Sequence, residues 1–398
     1  MTHTKMFRLE EVATFMGGST PSRANPAFFG GGIPWVKTTD LNNGLIVRTE
    51  ETLTELGLST SSCKIVPPGA VLVAMYGGFN QIGRTGLLSM PSAINQALTA
   101  VLPDRTKLDP NFLIEWLNFR VDYWKRFAGS SRKDPNITKG DIADFPVPSI
   151  PVELQQTYVG ILGEWNAAIE QTERMIAAKV QRHRGLMLRL LRGTAFPVQK
   201  LSDFVERVGR KNTTGNDHPL TISGKDGLIP QHRFFDKRIA AEATENYTLL
   251  KRGEFAYNKS YSSGYPYGAI KRLDSCDEGI VSSLYLCFAL KEPAKLLSEY
   301  LAYFCEAGGF NGQIHQIAQE GARNHGLLNV AVDDFFAMKL PVPNIAHQQR
   351  VAAVLAESDL ELGNLRKLLD ATRLQKRGLM QKLLTREWRL QVLEEASA

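Results

Sequence analysis

Two long stretches of the chain share an amphipathic pattern that predicts two long helices. Apolar or small side chains recur every three or four positions from Tyr158 to Leu190 and again from Val351 to Leu383. This spacing is typical of a helix that buries a single stripe, as in a coiled coil. No proline interrupts either stretch, and a proline-rich segment precedes each one, where proline favours helix initiation.

The two stretches are copies of each other. The segment PVPSIPVELQQ at 146–156 returns as PVPNIAHQQ at 341–349, and beyond the paired glutamines the register stays constant at 193 positions. The segment RGLM at 184–187 recurs at 377–380 in that register. The chain therefore consists of two halves, each a globular block followed by a long helix.

A long helix with one apolar stripe must bury that stripe, and its own copy is a suitable partner. We expect the two helices to pair antiparallel, which would relate the two blocks by a pseudo-two-fold axis. The alternative is that each helix packs only on its own block. The blocks themselves mix short strands broken by Gly and Pro with helices. IVSSLYLCFAL at 280–290 is predicted as a strand, and LDPNFLIEWLNFRVDYWKRF at 108–127 as a helix that begins at Asp109-Pro110, where the aspartate is a good N-cap.

The predicted fold class is therefore α+β: two mixed α/β globular domains separated by a long antiparallel two-helix coiled coil in an internal repeat. The predicted segments are the first domain at 1–150, the central spacer helix at 151–197, the second domain at 198–343, and the distal spacer helix with a C-terminal tail at 344–398.

Composition narrows the class of protein only a little. The chain is 43% hydrophobic and 22% charged, as in ordinary globular proteins, with a net charge of +6. It has no apolar run of membrane-spanning length and no signal-peptide pattern at its N-terminus. The four cysteines are scattered without metal-ligand spacing, so we expect buried structural thiols in a cytoplasmic, metal-free protein.

One pair of motifs suggests an adenine methyltransferase. Phe28-x-Gly30-x-Gly32 is followed by the acid–proline–aromatic run DPNF at 109–112. A cofactor loop, however, should follow a buried strand and open a helix, whereas SRANPAFF precedes these glycines and strand-like IPWV follows them. DPNF also lacks a second proline, and helix capping accounts for its Asp-Pro. We therefore predict no catalytic residues and no cofactor site in this chain.

The motifs of the first block, together with the repeat, resemble the specificity subunit (HsdS) of type I restriction–modification systems. The first block carries a Gly-x-Thr-Pro turn at 18–21, a Gly-Gly-Ile-Pro-Trp-Val strand at 31–36, a Pro-Gly-x-Val-Leu turn at 68–72 and an Asn-Gln pair at 95–96. Each block then closes with PVP, paired glutamines and the long helix. The second block lacks the Thr-Pro and Ile-Pro-Trp motifs, and only the Arg-Gly-Glu-Phe turn at 252–255 and the strand at Ser282-Ser283 echo the first block.

This resemblance implies a non-catalytic reader of double-stranded DNA. Each block would be a target recognition domain for one half of a bipartite, asymmetric sequence, and the helix pair would fix the gap between the half-sites. The helices would also hold two methyltransferase subunits, which carry the S-adenosylmethionine, and motor–nuclease subunits would join to cut DNA.

Under this interpretation the DNA contacts should be polar or aromatic side chains on loops. In the first block these candidates are Lys37, Thr38, Thr39, Tyr76, Asn80, Gln81, Arg84, Ser130, Arg132 and Lys133. In the second block they are Arg210, Lys211, Asn212, Lys225, Lys259, Tyr261, Tyr265, Tyr267, Arg323, Asn324 and His325.

Two other classes of function stay open at this point. One is a stand-alone adenine methyltransferase, which would bind S-adenosylmethionine without partners. The other is a coiled-coil scaffold without DNA contact, which is favoured by the 17 basic and 17 acidic residues that leave the second block neutral.

Overall fold

A computed structural model describes residues 5–76, 81–128, 136–191, 196–224, 227–231, 244–261, 264–320, 328–384 and 388. The chain divides into two compact units. Unit 1 comprises Met1–Thr172 with Leu368–Ala398, and unit 2 comprises Glu173–Lys367. Both units mix helices and sheets, which confirms the α/β character expected from the sequence.

The strands of unit 1 are β1 (Met6–Arg8), β2 (Ala13–Gly17), β3 (Phe29–Val36), β4 (Leu45–Ile46), β5 (Glu51–Leu53), β6 (Val71–Ala74), β7 (Thr85–Leu88), β8 (Ala93–Ile94), β9 (Leu98–Pro103) and β10 (Pro146–Pro148). Its helices are α1 (Glu55–Ser59), α2 (Pro110–Phe119), α3 (Val121–Ala128), α4 (Lys139–Ala143), the first part of α5 (Val152–Leu191) and the last part of α9 (Ile345–Leu384). Short 3₁₀ turns lie at Leu9–Glu11, Pro26–Phe28 and Thr38–Asp40.

The main sheet of unit 1 has the order β2-β9-β6-β7-β4. Alternation along β6 divides its side chains between two cores. Val71 and Val73 pack with Phe112 of α2 in one core, whereas Leu72 packs with Ala100 of β9 in the other. Smaller sheets, β5-β3-β8 and β1-β10, complete this unit.

The strands of unit 2 are β11 (Val198–Lys200), β12 (Val205–Val208), β13 (Leu220–Ser223), β14 (Gly227–Pro230), β15 (Thr248–Lys251), β16 (Phe255–Asn258), β17 (Ala269–Arg272), β18 (Glu278–Val281), β19 (Leu286–Leu290), β20 (Gln319–Glu320), β21 (Leu328–Asn329) and β22 (Lys339–Pro341). Its helices are α6 (Ser298–Glu306), α7 (Asn311–Ile317), α8 (Val332–Ala337), the last part of α5, and α9 (Ile345–Leu384) up to the unit boundary. A 3₁₀ turn lies at Leu201–Asp203.

The main sheet of unit 2 has the order β12-β19-β16-β17, and β15-β18, β13-β14, β11-β22 and β20-β21 form pairs. Phe255 of β16 stacks on Phe288 of β19 at a ring-centroid distance of 5.1 Å. Both rings face the core that also holds Tyr300 and Leu301 of α6.

The two long helices pair antiparallel inside unit 1. Tyr158 and Leu162 of α5 share a buried core with Met380 and Leu383 of α9. Farther along α5, Asn166 meets Lys376 of α9, so residue numbers rise along α5 as they fall along α9 and the helices run in opposite directions here. This core also contains α2, and the globular part and both helix segments therefore fold as one body.

Unit 2 contains its own antiparallel pairing of these helices. Met187 and Leu191 of α5 share a buried core with Val351 and Leu355 of α9. Each of the two 40-residue helices therefore contributes packing residues to both units.

A polar cluster joins the globular part of unit 1 to both helices. The Lys376 ammonium of α9 donates to the Glu115 carboxylate of α2 at 2.8 Å and to the Asn166 amide oxygen of α5 at 2.6 Å. The Asn166 amide nitrogen donates to the other Glu115 oxygen at 2.6 Å. The Lys376 and Glu115 side chains are 17% and 13% exposed, so this ion pair is largely withdrawn from water.

In unit 2, the contact between α6 and the two long helices, which corresponds to this cluster, is made by different side chains. The Tyr303 hydroxyl of α6 donates to the Asp359 carboxylate of α9 at 2.8 Å. The other Asp359 oxygen lies 3.4 Å from Nε2 of His183, which belongs to α5. Nδ1 of His183 lies 2.9 Å from the Ser358 hydroxyl, and the residue is 9% exposed. Burial and the Asp359 carboxylate raise the pKa of Tyr303 above its ordinary value.

Three details differ from the sequence prediction. The helix expected from Asp109 onward is interrupted at Arg120, so α2 and α3 are separate. The segment IVSSLYLCFAL, expected as one strand, is divided between β18 and β19 by a turn in which the Tyr285 N–H donates to the Ser282 carbonyl. Cys276 is only partly buried, whereas the other three cysteines are buried as expected.

Within the described residues, no helix is both long and apolar enough to cross a membrane. Over the same residues, no group of three or more His, Cys, Asp and Glu side chains is placed to hold a metal ion.

Candidate nucleic-acid interface

Each unit has a hairpin that carries several of the candidate DNA contacts. The connection from β6 to β7 covers residues 75–84, and the connection from β16 to β17 covers residues 259–268. In both sheets the first strand of the hairpin lies between the second strand and the longer strand β9 or β19. The same strand arrangement in the two units therefore presents two loops of equal length.

The hairpin of unit 1 carries Tyr76, Gln81 and Arg84. Tyr76 is 40% exposed, Arg84 is exposed and Gln81 is half-buried. The loop closes through the N–H of Ala74, which donates to the Arg84 carbonyl at 2.9 Å. An aromatic ring and a guanidinium therefore stand at the two ends of this loop, and both side chains can stack on or hydrogen-bond to bases.

Lys37, Thr38 and Thr39 follow β3, but the ammonium of Lys37 is already paired. Its Nζ donates to Glu50 at 2.9 Å and to Glu51 at 2.6 Å, and the side chain is only 17% exposed. Thr38 is half-buried and Thr39 is exposed. Of these three residues, Thr39 is the one whose side chain is well placed to meet a ligand.

The same ion cluster includes Arg23, which the sequence analysis did not single out. Its guanidinium lies over the rings of Phe29 at 4.6 Å and Trp35 at 5.1 Å, and it donates to both Glu51 oxygens at 2.6 and 3.2 Å. Hydrogen bonds from Arg23 and Lys37 lower the pKa of Glu51 to about 2. The cluster fixes the end of β3 against β5.

In the hairpin of unit 2, Tyr261 is the most exposed candidate, at 66%. The Lys259 ammonium donates to the Val330 carbonyl at 3.2 Å, and burial together with nearby Arg207 lowers its pKa. The ring of Tyr267 lies 5.4 Å from the ring of His315. Tyr261 is thus available to a ligand, whereas Lys259 and Tyr267 are engaged within the unit.

Tyr265 stabilises the same hairpin from inside. Its hydroxyl lies 2.7 Å from the Glu306 carboxylate and 2.9 Å from the Gly224 carbonyl, and it accepts a hydrogen bond of 2.8 Å from Lys271. Lys271 also pairs with Glu306. Burial and Glu306 raise the pKa of Tyr265 above its ordinary value. These contacts tie the loop to α6.

The three candidates after β12 have different surroundings. Arg210 pairs with Glu254, and the Lys211 ammonium donates to the Asn246 carbonyl at 3.1 Å. Asn212 is 2% exposed, and its amide bonds the backbone N–H and carbonyl of Asn216 at 2.8 and 2.9 Å. The Asn212 side chain therefore shapes its own loop and is not exposed to a ligand.

Eight candidates lie outside the described residues: Asn80, Ser130, Arg132, Lys133, Lys225, Arg323, Asn324 and His325.

The two motifs that suggested a methyltransferase have other structural roles. Gly30 and Gly32 lie within β3, rather than between a strand and a helix. Asp109 is the N-cap of α2, where its carboxylate accepts from the N–H groups of Asn111 at 2.8 Å and Phe112 at 3.1 Å. The glycine segment therefore lacks the strand–loop–helix context of a cofactor loop, and at the start of α2 the Asp109 carboxylate itself occupies the N–H groups of Asn111 and Phe112.

Each unit is thus a mixed α/β module that exposes an aromatic side chain, Tyr76 or Tyr261, on a hairpin loop. Residues 1–181 match the family model of the type I restriction modification DNA specificity domain. The resemblance to the specificity subunits of type I restriction–modification systems is thereby confirmed.

Relatives in two organisms agree with this match. The specificity subunit of the type I restriction enzyme EcoR124I/EcoR124II of Escherichia coli is 24% identical over 165 residues, 40% of this chain and 40% of that protein. The specificity subunit of MjaIX of Methanocaldococcus jannaschii is 25% identical over 171 residues, 42% of this chain and 39% of that protein. The chain thus matches about two fifths of the length of these relatives.

Two solved structures share the fold along nearly the full length. The S subunit of a type I restriction–modification system from M. genitalium has a TM-score of 0.53 at 12% identity, with 96% of this chain and 97% of that chain covered. A chain from a study of complex assembly and conformational transition in the type I R-M system has a TM-score of 0.56 at 14% identity, with 96% and 98% covered.

Proposed function

We propose that this chain is the DNA sequence-specificity subunit of a type I restriction–modification complex and has a recognition role rather than a catalytic one. The observation that carries this proposal is the match of residues 1–181 to a DNA specificity domain. It is supported by the exposed hairpin residues Tyr76 and Arg84 in unit 1 and Tyr261 in unit 2.

Each unit would read one half of a bipartite, asymmetric target in double-stranded DNA. The family match reaches only the first nine residues of unit 2, 173–181, so the role of unit 2 rests on the strand order and hairpin that it shares with unit 1. Arginine can donate two hydrogen bonds to guanine, and tyrosine can stack on bases or bond their edges. Because the two hairpins carry different side chains, they would read different bases.

The two long helices would form one antiparallel coiled coil that fixes the spacer between the half-sites, as dimeric DNA readers fix theirs by geometry. The pairing of α5 with α9 inside each unit supports this idea. The exposed helix faces would hold two methyltransferase subunits, which carry S-adenosylmethionine, and motor–nuclease subunits would complete the complex in the cytoplasm.

The test is selection of random duplexes by the purified chain, followed by binding measurements over a range of salt. We expect one bipartite sequence with a fixed spacer, and an affinity that falls as salt rises. Arg84→Ala should weaken binding about tenfold and relax base preference in one half-site, and Tyr261→Ala should do so in the other. Arg366→Ala, an exposed change on α9, is the control.

The competing hypotheses give different results in the same assays. A scaffold would bind no duplex at any salt concentration. A stand-alone methyltransferase would bind S-adenosylmethionine in a calorimetric titration of the chain alone and would methylate the selected duplex without partners.

The spacer role has a separate test. Residues 173–179 and 362–368 lie in the middle of α5 and α9, and deleting both segments removes about two turns, or ~10 Å, from each helix. Because base pairs rise ~3.4 Å each, the selected spacer should shorten by about three base pairs with both half-sites unchanged. A change in the half-site sequences would contradict the spacer role.

A further inference from the structure

Two buried glutamines occupy matching places at the start of the long helices. Gln155 of α5 and Gln348 of α9 lie 193 positions apart, in the first turn of each helix, and both are 0% exposed. Glutamine is seldom fully buried, because its amide must find replacements for all the hydrogen bonds that it makes with water.

Gln155 makes three hydrogen bonds to backbone groups of unit 1. Its Oε1 accepts from the N–H of Asp109 at 2.8 Å, and its Nε2 donates to the carbonyls of Lys107 at 2.8 Å and Ile150 at 2.7 Å. Asp109 is the N-cap of α2. One side chain therefore joins the start of α5, the segment that leads into it and the start of α2.

Gln348 repeats this arrangement in unit 2. Its Oε1 accepts from the N–H of Leu297 at 2.8 Å, and its Nε2 donates to the carbonyls of Lys295 at 3.2 Å and Pro343 at 2.8 Å. Leu297 is the N-cap of α6. The three backbone partners of Gln348 thus correspond to those of Gln155. In each unit one lies just before a helix, one is the N-cap of that helix, and one lies in the segment that leads into the long helix.

The second glutamine of each pair behaves differently. Gln156 and Gln349 follow directly along the chain, and both are exposed. The Gln-Gln sequence therefore recurs with one buried and one exposed member in each unit, and the chain itself supplies a matched control for each buried position.

We infer that Gln155 and Gln348 are positioning residues that fix the angle at which each globular part leaves its spacer helix. This inference rests on the proposed function, since the angle would determine the distance between the two reading loops. The buried apolar cores hold globular part and helix together but are not directional, whereas three hydrogen bonds from one planar amide fix an orientation. Loss of the amide should therefore loosen the spacing requirement and leave base reading intact.

The experiment uses the full chain and the duplex that the wild-type protein selects. The probes are that duplex and versions with the spacer one base pair longer or shorter. Gln155→Met and Gln348→Met keep the volume of the side chain and remove its hydrogen bonds. We expect the affinity ratio between the native and altered spacers to fall at least about fivefold in each variant, with unchanged half-site preference, and to stay at the wild-type value in Gln156→Met and Gln349→Met.

Two further measurements separate positioning from loss of folding. Hydrogen exchange at the N–H of Asp109 should quicken in Gln155→Met, and at the N–H of Leu297 in Gln348→Met, while the central strands β6 and β16 stay protected. Gln155→Asn, which keeps the amide on a shorter side chain, covers the case in which the Met variant does not fold, and it should give an intermediate ratio.

The outcomes distinguish this inference from the function on which it rests. If the wild-type chain selects no bipartite sequence, the proposed function fails. If it selects one and the folded Gln155 and Gln348 variants keep the full spacer ratio, the proposed function stands and the positioning role is wrong.

Discussion

Units 1 and 2 join their globular parts to the two long helices through matching positions filled with different chemistry. In unit 1 the junction is an ion pair and an amide: Glu115, Asn166 and Lys376. In unit 2 it is a phenol, a carboxylate and an imidazole: Tyr303, Asp359 and His183. Asp359 follows Asn166 by 193 positions, and His183 precedes Lys376 by the same interval.

The apolar layers beside these junctions change much less. Leu162 and Leu355 match in the repeat, as do Met187 and Met380, and all four are buried. The helix pairing thus rests on a shared apolar seam, while the polar contacts that lock each globular part onto it are particular to the unit. An apolar seam tolerates any apolar side chains that fill the same volume. A polar junction needs complementary hydrogen-bond partners, so a substitution at one junction position requires a substitution at its partners.

The largest effect should come from breaking the seam. Leu355→Asp places a carboxylate where the wild-type side chain is 0% exposed, and it should cost unit 2 roughly 4 kcal/mol or more. Leu162→Asp should do the same to unit 1. Leu360→Asp, at a position 64% exposed on the same helix as Leu355, should change stability by less than about 0.5 kcal/mol. Urea unfolding measures all three, and equal losses in Leu355→Asp and Leu360→Asp would contradict the seam.

Sequence periodicity predicted the long helices well because a regular apolar stripe reports burial directly. It also marked the hairpin loops, since Gly, Tyr and Lys/Arg clusters interrupt the strand pattern at MYGGFNQIGR and YNKSYSSGYPYG. It could not show which loop side chains are already bound to other residues of the same unit. Lys37 and Asn212 look like free DNA contacts in sequence, but the first meets Glu50 and Glu51 and the second folds back on its own loop.

The glutamine positions and the polar junctions were beyond sequence reasoning for a different reason. Some partners are far away along the chain, since Lys376 is 210 positions from Asn166 and 261 from Glu115. Others are backbone groups that any residue type supplies, as with Gln155 and the N–H of Asp109. The recurrence of Gln-Gln after 193 positions was visible, but which member is buried depends on the phase of the helix against its globular part. Four predicted segments, with boundaries after 150, 197 and 343, remain predictions.

Removing one partner of the polar junction should destabilise unit 1 more than unit 2. Lys376→Met leaves the Glu115 carboxylate, 13% exposed, without its cation and should destabilise unit 1 by roughly 2 kcal/mol. Tyr303→Phe removes one hydrogen bond to Asp359, whose side chain is 51% exposed and can bind water instead, so the loss should be about 1 kcal/mol or less.

A double-mutant cycle sharpens this comparison. Adding Glu115→Gln to Lys376→Met removes the stranded charge, so the double variant should be more stable than the sum of the single losses predicts. Thermal unfolding of the four proteins measures the coupling. If the two single losses simply add, the ion pair contributes nothing beyond packing.

The smallest effect should appear in acid, in the ion cluster of unit 1. Hydrogen bonds from Arg23 and Lys37 hold the pKa of Glu51 at about 2 in the folded protein, below the ~4.3 of an unfolded glutamate. A group whose pKa is lower in the folded protein adds stability that is fully present above its unfolded pKa and is lost as pH falls toward its folded pKa.

Wild-type protein should therefore be more stable than Glu51→Gln at pH 7. The difference should be only about 1 kcal/mol, because the Glu51 side chain is 29% exposed and solvent screens its charge. That advantage should shrink between about pH 4.5 and pH 2, where protonated Glu51 and glutamine become equivalent. Chemical denaturation of both proteins across this range measures the difference, and a constant gap down to pH 2 would mean that the Glu51 charge does not stabilise the cluster.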